Sequence, residues 1–342
     1  MMDDVSIWSA GGGLVIGFVF GLVMQRSRFC LVAAVSNMLL IRDYRYVQAF
    51  LAAWAVAIAG TALLESTQLV AISDSGYRGA GFDWFGALTG GLLFGLGAAL
   101  AGGCAARTLV NTAEGQLGGL LVLIVLSVFC GITQFGPLER MRVSLMQHTA
   151  VQLQSGDSGL AALSGTAPWV FGLVLATACL AIMRLCGPVK DNRGLVLAGG
   201  GIGLLVVAAW FFTGWVVQDP FAASVPGAAV ITGPLARYSY YLGTGTGLTL
   251  NFSIAFVPGI LVGALVGAVR ARTFKLTRPD TSRIPHYIIG GSFMGIGATV
   301  AGGCNVGQGL SGVSTLSITS LLAAAAIFAG AVTGVKWWER YA

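Results

Sequence analysis

The chain has 342 residues, of which 56% are hydrophobic and only 9% charged, and its mean hydropathy is +0.83. A soluble domain carries roughly 25% charged residues, so the composition excludes a water-exposed globule and points to an all-α polytopic membrane protein. The formal charge of +6 sits in short segments between apolar runs, which argues against a nucleic-acid surface.

In hydrocarbon every backbone polar group must pair internally, and long continuous apolar runs mean helices rather than barrel strands. Asp3 and Asp4 stand where a cleaved signal would be basic, so the first run is expected to stay as an anchor. Nine spans are predicted, at 8–26, 47–71, 84–104, 116–136, 168–186, 194–217, 252–270, 286–304 and 316–335. Residues 1–342 are read as one integral-membrane domain. Two connections are long, 137–167 and 218–251. The second holds Pro220, Pro226, Pro234 and the run Gly243 to Gly247, and is predicted to be a loop with little regular structure.

Loop charge sets the orientation, because Lys and Arg collect on the cytoplasmic side. With the N-terminus outside, fifteen basic residues fall on inner segments and only Arg78, Arg140, Arg142 and Arg237 on outer ones. The prediction is N-terminus out, C-terminus in.

Two stretches repeat. Residues 90–104, "GGLLFGLGAALAGGC", align without a gap to 290–304, "GGSFMGIGATVAGGC", with nine of fifteen positions identical. On the predicted topology the two run antiparallel, as inverted repeats of transport proteins do, with a pathway between them. A weaker echo, 13–26 with 259–272, runs parallel and does not fit a simple inverted repeat. Gly13, Gly17 and Gly21, like Gly259, Gly263 and Gly267, are spaced for close helix packing. Gly102 and Gly103, and Gly302 and Gly303, are instead expected to break their helices inside the protein, where exposed backbone must be buried or line a cavity.

Six cysteines occur, without a CxxC or a Cys/His cluster, so neither a metal site nor a cofactor is expected. Cys130, Cys179 and Cys186 lie in apolar helix and read as packing. Cys104 and Cys304 end the two repeats, a placement that unrelated packing would not produce. No phosphate-binding loop is present, and no enzymatic activity is expected.

The run Gly17 to Cys30, ending "QRSRFC", and the two "GG-x3-G-x-G-x3-AGGC" runs resemble the YeeE/YedE family of membrane sulfur transporters, in order, from about Gly13 to Val335. The resemblance implies thiosulfate uptake across a bacterial inner membrane through an hourglass-shaped helical fold. It also implies a thiol relay, which by motif falls on Cys30, Cys104 and Cys304. It further implies a small soluble sulfur-carrier partner of the TusA type on the cytoplasmic side.

The physics is compatible with that relay. A buried thiol stays neutral and donates weakly, so it can hold an anion without trapping it. Amides at the starts of short helices near Ala105 and Asn305 would add positive partial charge. Arg107 follows the first tip, with Thr108 and Asn111, while Asn305 and Gln308 follow the second.

Several neighbours read two ways. Arg26 and Arg28 either set orientation only or draw an anion toward Cys30, and Gln25 could hydrogen-bond substrate. Glu114 reads as a solvated inner charge or as part of the pathway. His148 and His286 are assigned no role. Apart from Glu65 no acidic residue lies deep in a span, which favours an anionic or neutral cargo. Three further readings stay open: a selenium or other sulfur species as cargo, a membrane thiol-disulfide oxidoreductase, and soft-metal transport, which would call for Met and Cys clusters the chain lacks.

Overall fold

The computed structural model describes residues 2–153, 156–217, 225–246 and 249–341. In chain order the helices are α1 (Met2–Ser27), α2 (Leu31–Leu40), α3 (Arg45–Ser66), α4 (Trp84–Ala101), α5 (Ala105–Ala113), α6 (Leu117–Phe135) and α7 (Glu139–Thr149). There follow α8 (Leu160–Ser164), α9 (Pro168–Leu185), α10 (Arg193–Phe211), α11 (Thr232–Thr244), α12 (Phe252–Arg270), α13 (Ile284–Val300) and α14 (Ile318–Tyr341). Turns of π-helix occupy Phe212–Val216 and Gly307–Gly312. The strands of the described residues are two short ones, Gly81–Phe82 paired antiparallel with Val151–Gln152.

Among the described residues, eight stretches are long and apolar enough to cross a membrane, including Ser6–Leu40 and Trp84–Ala113, each a long helix followed by a short one. The remaining predicted span, 286–304, is α13, only 17 residues long. It stops at Val300, as α4 stops at Ala101, because a glycine pair breaks each helix before its cysteine.

Side-by-side packing reveals the internal symmetry. A Cβ added at Gly90 would strike Gly297 and Ala301, and one at Gly97 would strike Gly290 and Met294. Contacts that descend in one helix as they rise in the other make α4 and α13 antiparallel, and exchanging the repeats returns the same pairs. The rest of the fold obeys the exchange. Gly91 and Gly95 of α4 meet Ala323 and Ile327 of α14, while Gly291 and Gly295 of α13 meet Val122 and Leu126 of α6. Gly13 and Gly17 of α1 meet Phe252 and Phe256 of α12, while Gly199 and Gly203 of α10 meet Ala49 and Ala53 of α3. One repeat is therefore α1 to α6, and the other is α10 to α14 with the π-helix at 307–312 in the place of α5. Helices α7 to α9 connect them.

This symmetry resolves one open point and corrects one expectation. The counterpart of α1 is α10, not α12, so the echo between 13–26 and 259–272 is not a repeat. Helices α1 and α12 are parallel packing partners, and both carry small residues at intervals of four because their backbones must meet. The connection 218–251 does carry regular structure, since α11 lies within it as the counterpart of α2. Pro234 is tolerated there because it falls in the first turn, where its missing N–H has no helical acceptor. Pro220 and Gly247 lie outside the described residues.

The same pairings bring the basic residues to one face. Parallel α1 and α12 place Arg26 and Arg270 together, and parallel α4 and α14 bring Lys336 and Arg340 beside the end of α4. Antiparallel α13 begins there, directly after Arg283. The Asn192 amide, next to Arg193, donates to the carbonyl of Arg45 at 2.9 Å and ties the end of the connecting helices to that face.

Candidate functional site

Each break has the same local cause. Gly102 and Gly302 adopt φ of +77° and +74°, a left-handed conformation that costs glycine nothing and ends the helix. The chain then reverses through Gly103 or Gly303, and the cysteine comes at the start of the next short segment. Cys104 is the cap residue of α5. Cys30 holds the same position on α2, in extended conformation at φ −157°. After Cys304 the turn residues Asn305 and Val306 lead into the π-helix.

All three thiols are buried, at 4%, 2% and 1% exposure for Cys30, Cys104 and Cys304. The Cys30 and Cys104 side chains are neighbours, and Cys30 also faces the amides of Val32, Ala33 and Cys104. Cys304 faces the amides of Val306 and Gly307 on its own segment and those of Ile231 and Thr232 at the start of α11. The exchange symmetry explains this: α2 meets the first tip as α11 meets the second. Helix starts thus converge on the sulfurs, and their free N–H groups give the centre a positive partial charge. Hydropathy does not reveal the short helices α2 and α11, although residues 31–40 and 232–244 are offset by about 200, as the repeats are.

The second tip is the more heavily braced. Gln308, 6% exposed, donates from Nε2 to Ala301 O at 2.9 Å and accepts from Ser320 Oγ at 2.6 Å. Trp54 Nε1 donates to Gly309 O, and Ser311 Oγ to Ala229 O at 2.9 Å. Gln308 is therefore placed as a clamp on the break. Asn305 is buried beside Gly309, where a Cβ would meet its Oδ1 at 2.7 Å. Gln308→Leu should remove about 1–3 kcal/mol of stability by orphaning Ser320 Oγ and the Ala301 carbonyl. Thermal unfolding of the detergent-solubilised variant checks this, and an unchanged midpoint would dismiss the clamp.

The first tip opens instead onto a cavity of about 870 Å³ at the basic face. Cys30, Gly102, Arg107, Thr108 and Asn111 line it, and the exposed Arg28, Arg278 and Arg283 stand at its mouth. Arg26 is exposed but is not part of the lining. Glu114 is not a solvated loop charge: its side chain is 6% exposed, with Arg107 Nη2 at 3.5 Å. Gln25 Nε2 donates to Glu114 Oε1 at 3.3 Å and to Thr273 Oγ1 at 3.2 Å, and Gln116 Nε2 to Glu114 Oε2 at 3.3 Å. Gln25 and Glu114 thus support Arg107 from behind. The sequence could not show this, since no spacing rule brings residues 25, 107 and 114 together.

Opposite the basic face, Tyr77 covers the second tip. Its hydroxyl lies 3.5 Å from where a Cβ on Gly307 would stand, and its ring meets Trp210 edge-on. Burial, with the neighbouring Cys304 sulfur, pushes the Tyr77 phenol above its ordinary range, so it stays protonated. Neighbouring Arg78 is held by Glu65 and Asp157. Cys130 packs between α6 and α13 with its Sγ donating to Gly295 O at 3.5 Å, and Cys179 packs against α3. His148 is exposed on α7, whereas His286, given no role from sequence, lines the cavity.

Known proteins resemble this chain over most of its length. Residues 26–333 match the family described as Sulphur transport. The chain is 29% identical over 311 residues to the thiosulfate transporter TsuA of Escherichia coli (strain K12), covering 87% of this chain and 86% of that protein. It is 29% identical over 337 residues to the thiosulfate transporter TsuA of Spirochaeta thermophila, covering 93% and 94%. The match takes in both AGGC stretches together with Cys30, Cys104 and Cys304, and this chain belongs to the Sulphur transport family.

Proposed function

We propose that the protein takes up thiosulfate across a bacterial inner membrane, with the N-terminus outside and the basic face in the cytoplasm. The collection of Lys and Arg on one face supports this orientation, because positive loops are retained inside. The names of the two relatives support the cargo. One observation carries the mechanism: antiparallel repeats bring Cys30, Cys104 and Cys304 to the starts of short helices buried within the bundle. The anion enters from the Tyr77 side, meets Cys304, passes to the adjacent Cys104 and Cys30, and leaves through the basic cavity. Thiol donors are weak, and a series of weak sites favours passage over capture. A small sulfur-carrier protein of the TusA type then receives the cargo at the basic face.

Cells lacking sulfate and thiosulfate uptake, given this gene and thiosulfate as sole sulfur source, provide the test. Cys104→Ala and Cys304→Ala should each lower uptake about ten- to a hundredfold, the worth of a hydrogen bond to an ion. Cys179→Ala should grow as the parent does. Full growth of both tip variants would sink the relay.

A further inference from the structure

Among the described residues, five buried side-chain polar atoms have no hydrogen-bond partner, and three of them belong to residues lining the basic-face cavity: Arg107 Nη1, Asn111 Oδ1 and His286 Nδ1. Buried polar groups are normally satisfied, so such a concentration asks for a missing partner. Arg107 and Asn111 are four residues apart on α5 and share a face. Arg107 Nη2 is already committed to Glu114, which leaves Nη1 held in place and free. The Asn111 amide can present its NH₂ end by a half-turn, and the His286 ring can carry its proton on Nδ1, so all three positions can donate. Three donors, one of them a guanidinium, match an oxyanion and no cation.

We propose that Arg107, Asn111 and His286 form an exit station that holds the oxygens of a sulfur oxyanion between Cys30 and the cytoplasm. The station rests on the transport reading above and adds to it a site that recognises oxygen, not sulfur. Glu114 has a definite task in it. An unopposed arginine would hold a dianion too firmly to release it, and the carboxylate at 3.5 Å offsets part of that charge. Gln25 and Gln116 keep the carboxylate in place.

Calorimetric titration of the purified full-length protein with sodium thiosulfate, at fixed ionic strength, tests the station. Asn111→Leu and His286→Phe, which preserve volume, should each weaken binding about tenfold, and Arg107→Met by more. Glu114→Gln should tighten binding while slowing uptake into vesicles. Sulfate should compete with thiosulfate, since both offer the oxygens that the station reads. Parental affinity in Asn111→Leu and His286→Phe, or failure of sulfate to compete, would overturn the station even if Arg107→Met proved unstable. Those outcomes would leave the transport reading intact. Conversely, weakened binding in these variants together with normal uptake in Cys104→Ala and Cys304→Ala would remove the relay and leave the station standing.

Discussion

Gly263→Ala should yield little or no folded protein. A Cβ at that position would lie 1.9 Å from the carbonyl oxygen of Phe18, and the same addition at Gly21 would lie 2.2 Å from that of Ile260. Both obstacles are backbone, so no rotamer change relieves them. The helices α1 and α12 would have to separate by roughly 1 Å or more along a seam that Gly13, Gly17 and Gly259 also keep tight. Overpacking typically costs about 1–3 kcal/mol, and a backbone clash belongs at the top of that range or beyond it. In lipid there is no solvent-driven gain to compensate, because helices associate by packing itself. Gly201→Ala is the control, since nothing lies within 4 Å of its added Cβ. It should be neutral or slightly stabilising, because alanine is the better helix former. Size-exclusion profiles and unfolding midpoints in detergent compare the two. A monodisperse Gly263→Ala with the parental midpoint would mean that α1 and α12 do not pack this closely.

The glycine seam also marks where sequence reading succeeds and where it stops. The two AGGC tips are legible because they depend on a local requirement: a left-handed residue, a reversal and a cap, all close together in the chain. Long spans are legible for a similar reason, since continuous apolarity over about 18 or more residues suits the interior of a bilayer and little else. Short helices α2 and α11 are not. Ten and thirteen residues do not span a membrane, and the prolines near α11 imitate a loop. The 13–26 and 259–272 echo misleads because close packing imposes the same small-residue spacing on both partners of a seam, related or not. Glu114 reads two ways in sequence because its burial depends on Arg107, Gln25 and Gln116 meeting in space. His286 stays silent because a lone histidine near a loop carries no signal until a cavity forms around it.

Arg78→Met should loosen the cover over Cys304. The Arg78 guanidinium grips Asp157 with two nitrogens, Nε to Oδ1 at 2.9 Å and Nη2 to Oδ2 at 2.6 Å, while Nη1 holds Glu65. Burial disfavours the charged guanidinium, but the bonds to Asp157 and the charges of both carboxylates more than offset this and raise its affinity for the proton. Asp157 Oδ1 also accepts from the Gly159 amide at 2.8 Å, and the next residues are tied to the start of α14. Leu160 N donates to Leu316 O, Ile318 N to Ser158 O, and the Ser158 and Ser317 hydroxyls lie 3.1 Å apart. One guanidinium therefore joins the end of α3, the segment carrying Tyr77 and the approach to the second tip. Removing it takes the counter-charge from two carboxylates of which only 17% is exposed. Breaking a buried pair from one side costs about 3–5 kcal/mol, and this partial exposure places the loss near the lower figure. Arg78→Lys should recover only part, because an ammonium cannot grip a carboxylate in a fork. With the clamp gone, Tyr77 is no longer held over Gly307. Maleimide labelling of Cys304, followed by peptide mass mapping in detergent, should then accelerate at least about tenfold, the population of an opening made easier by about 1.4 kcal/mol. Cys130, packed between α6 and α13, should stay unlabelled and so separate local opening from general unfolding. If Arg78→Met keeps both the parental midpoint and the parental labelling rate, the segment 67–83 is held by other contacts and Tyr77 does not guard the path.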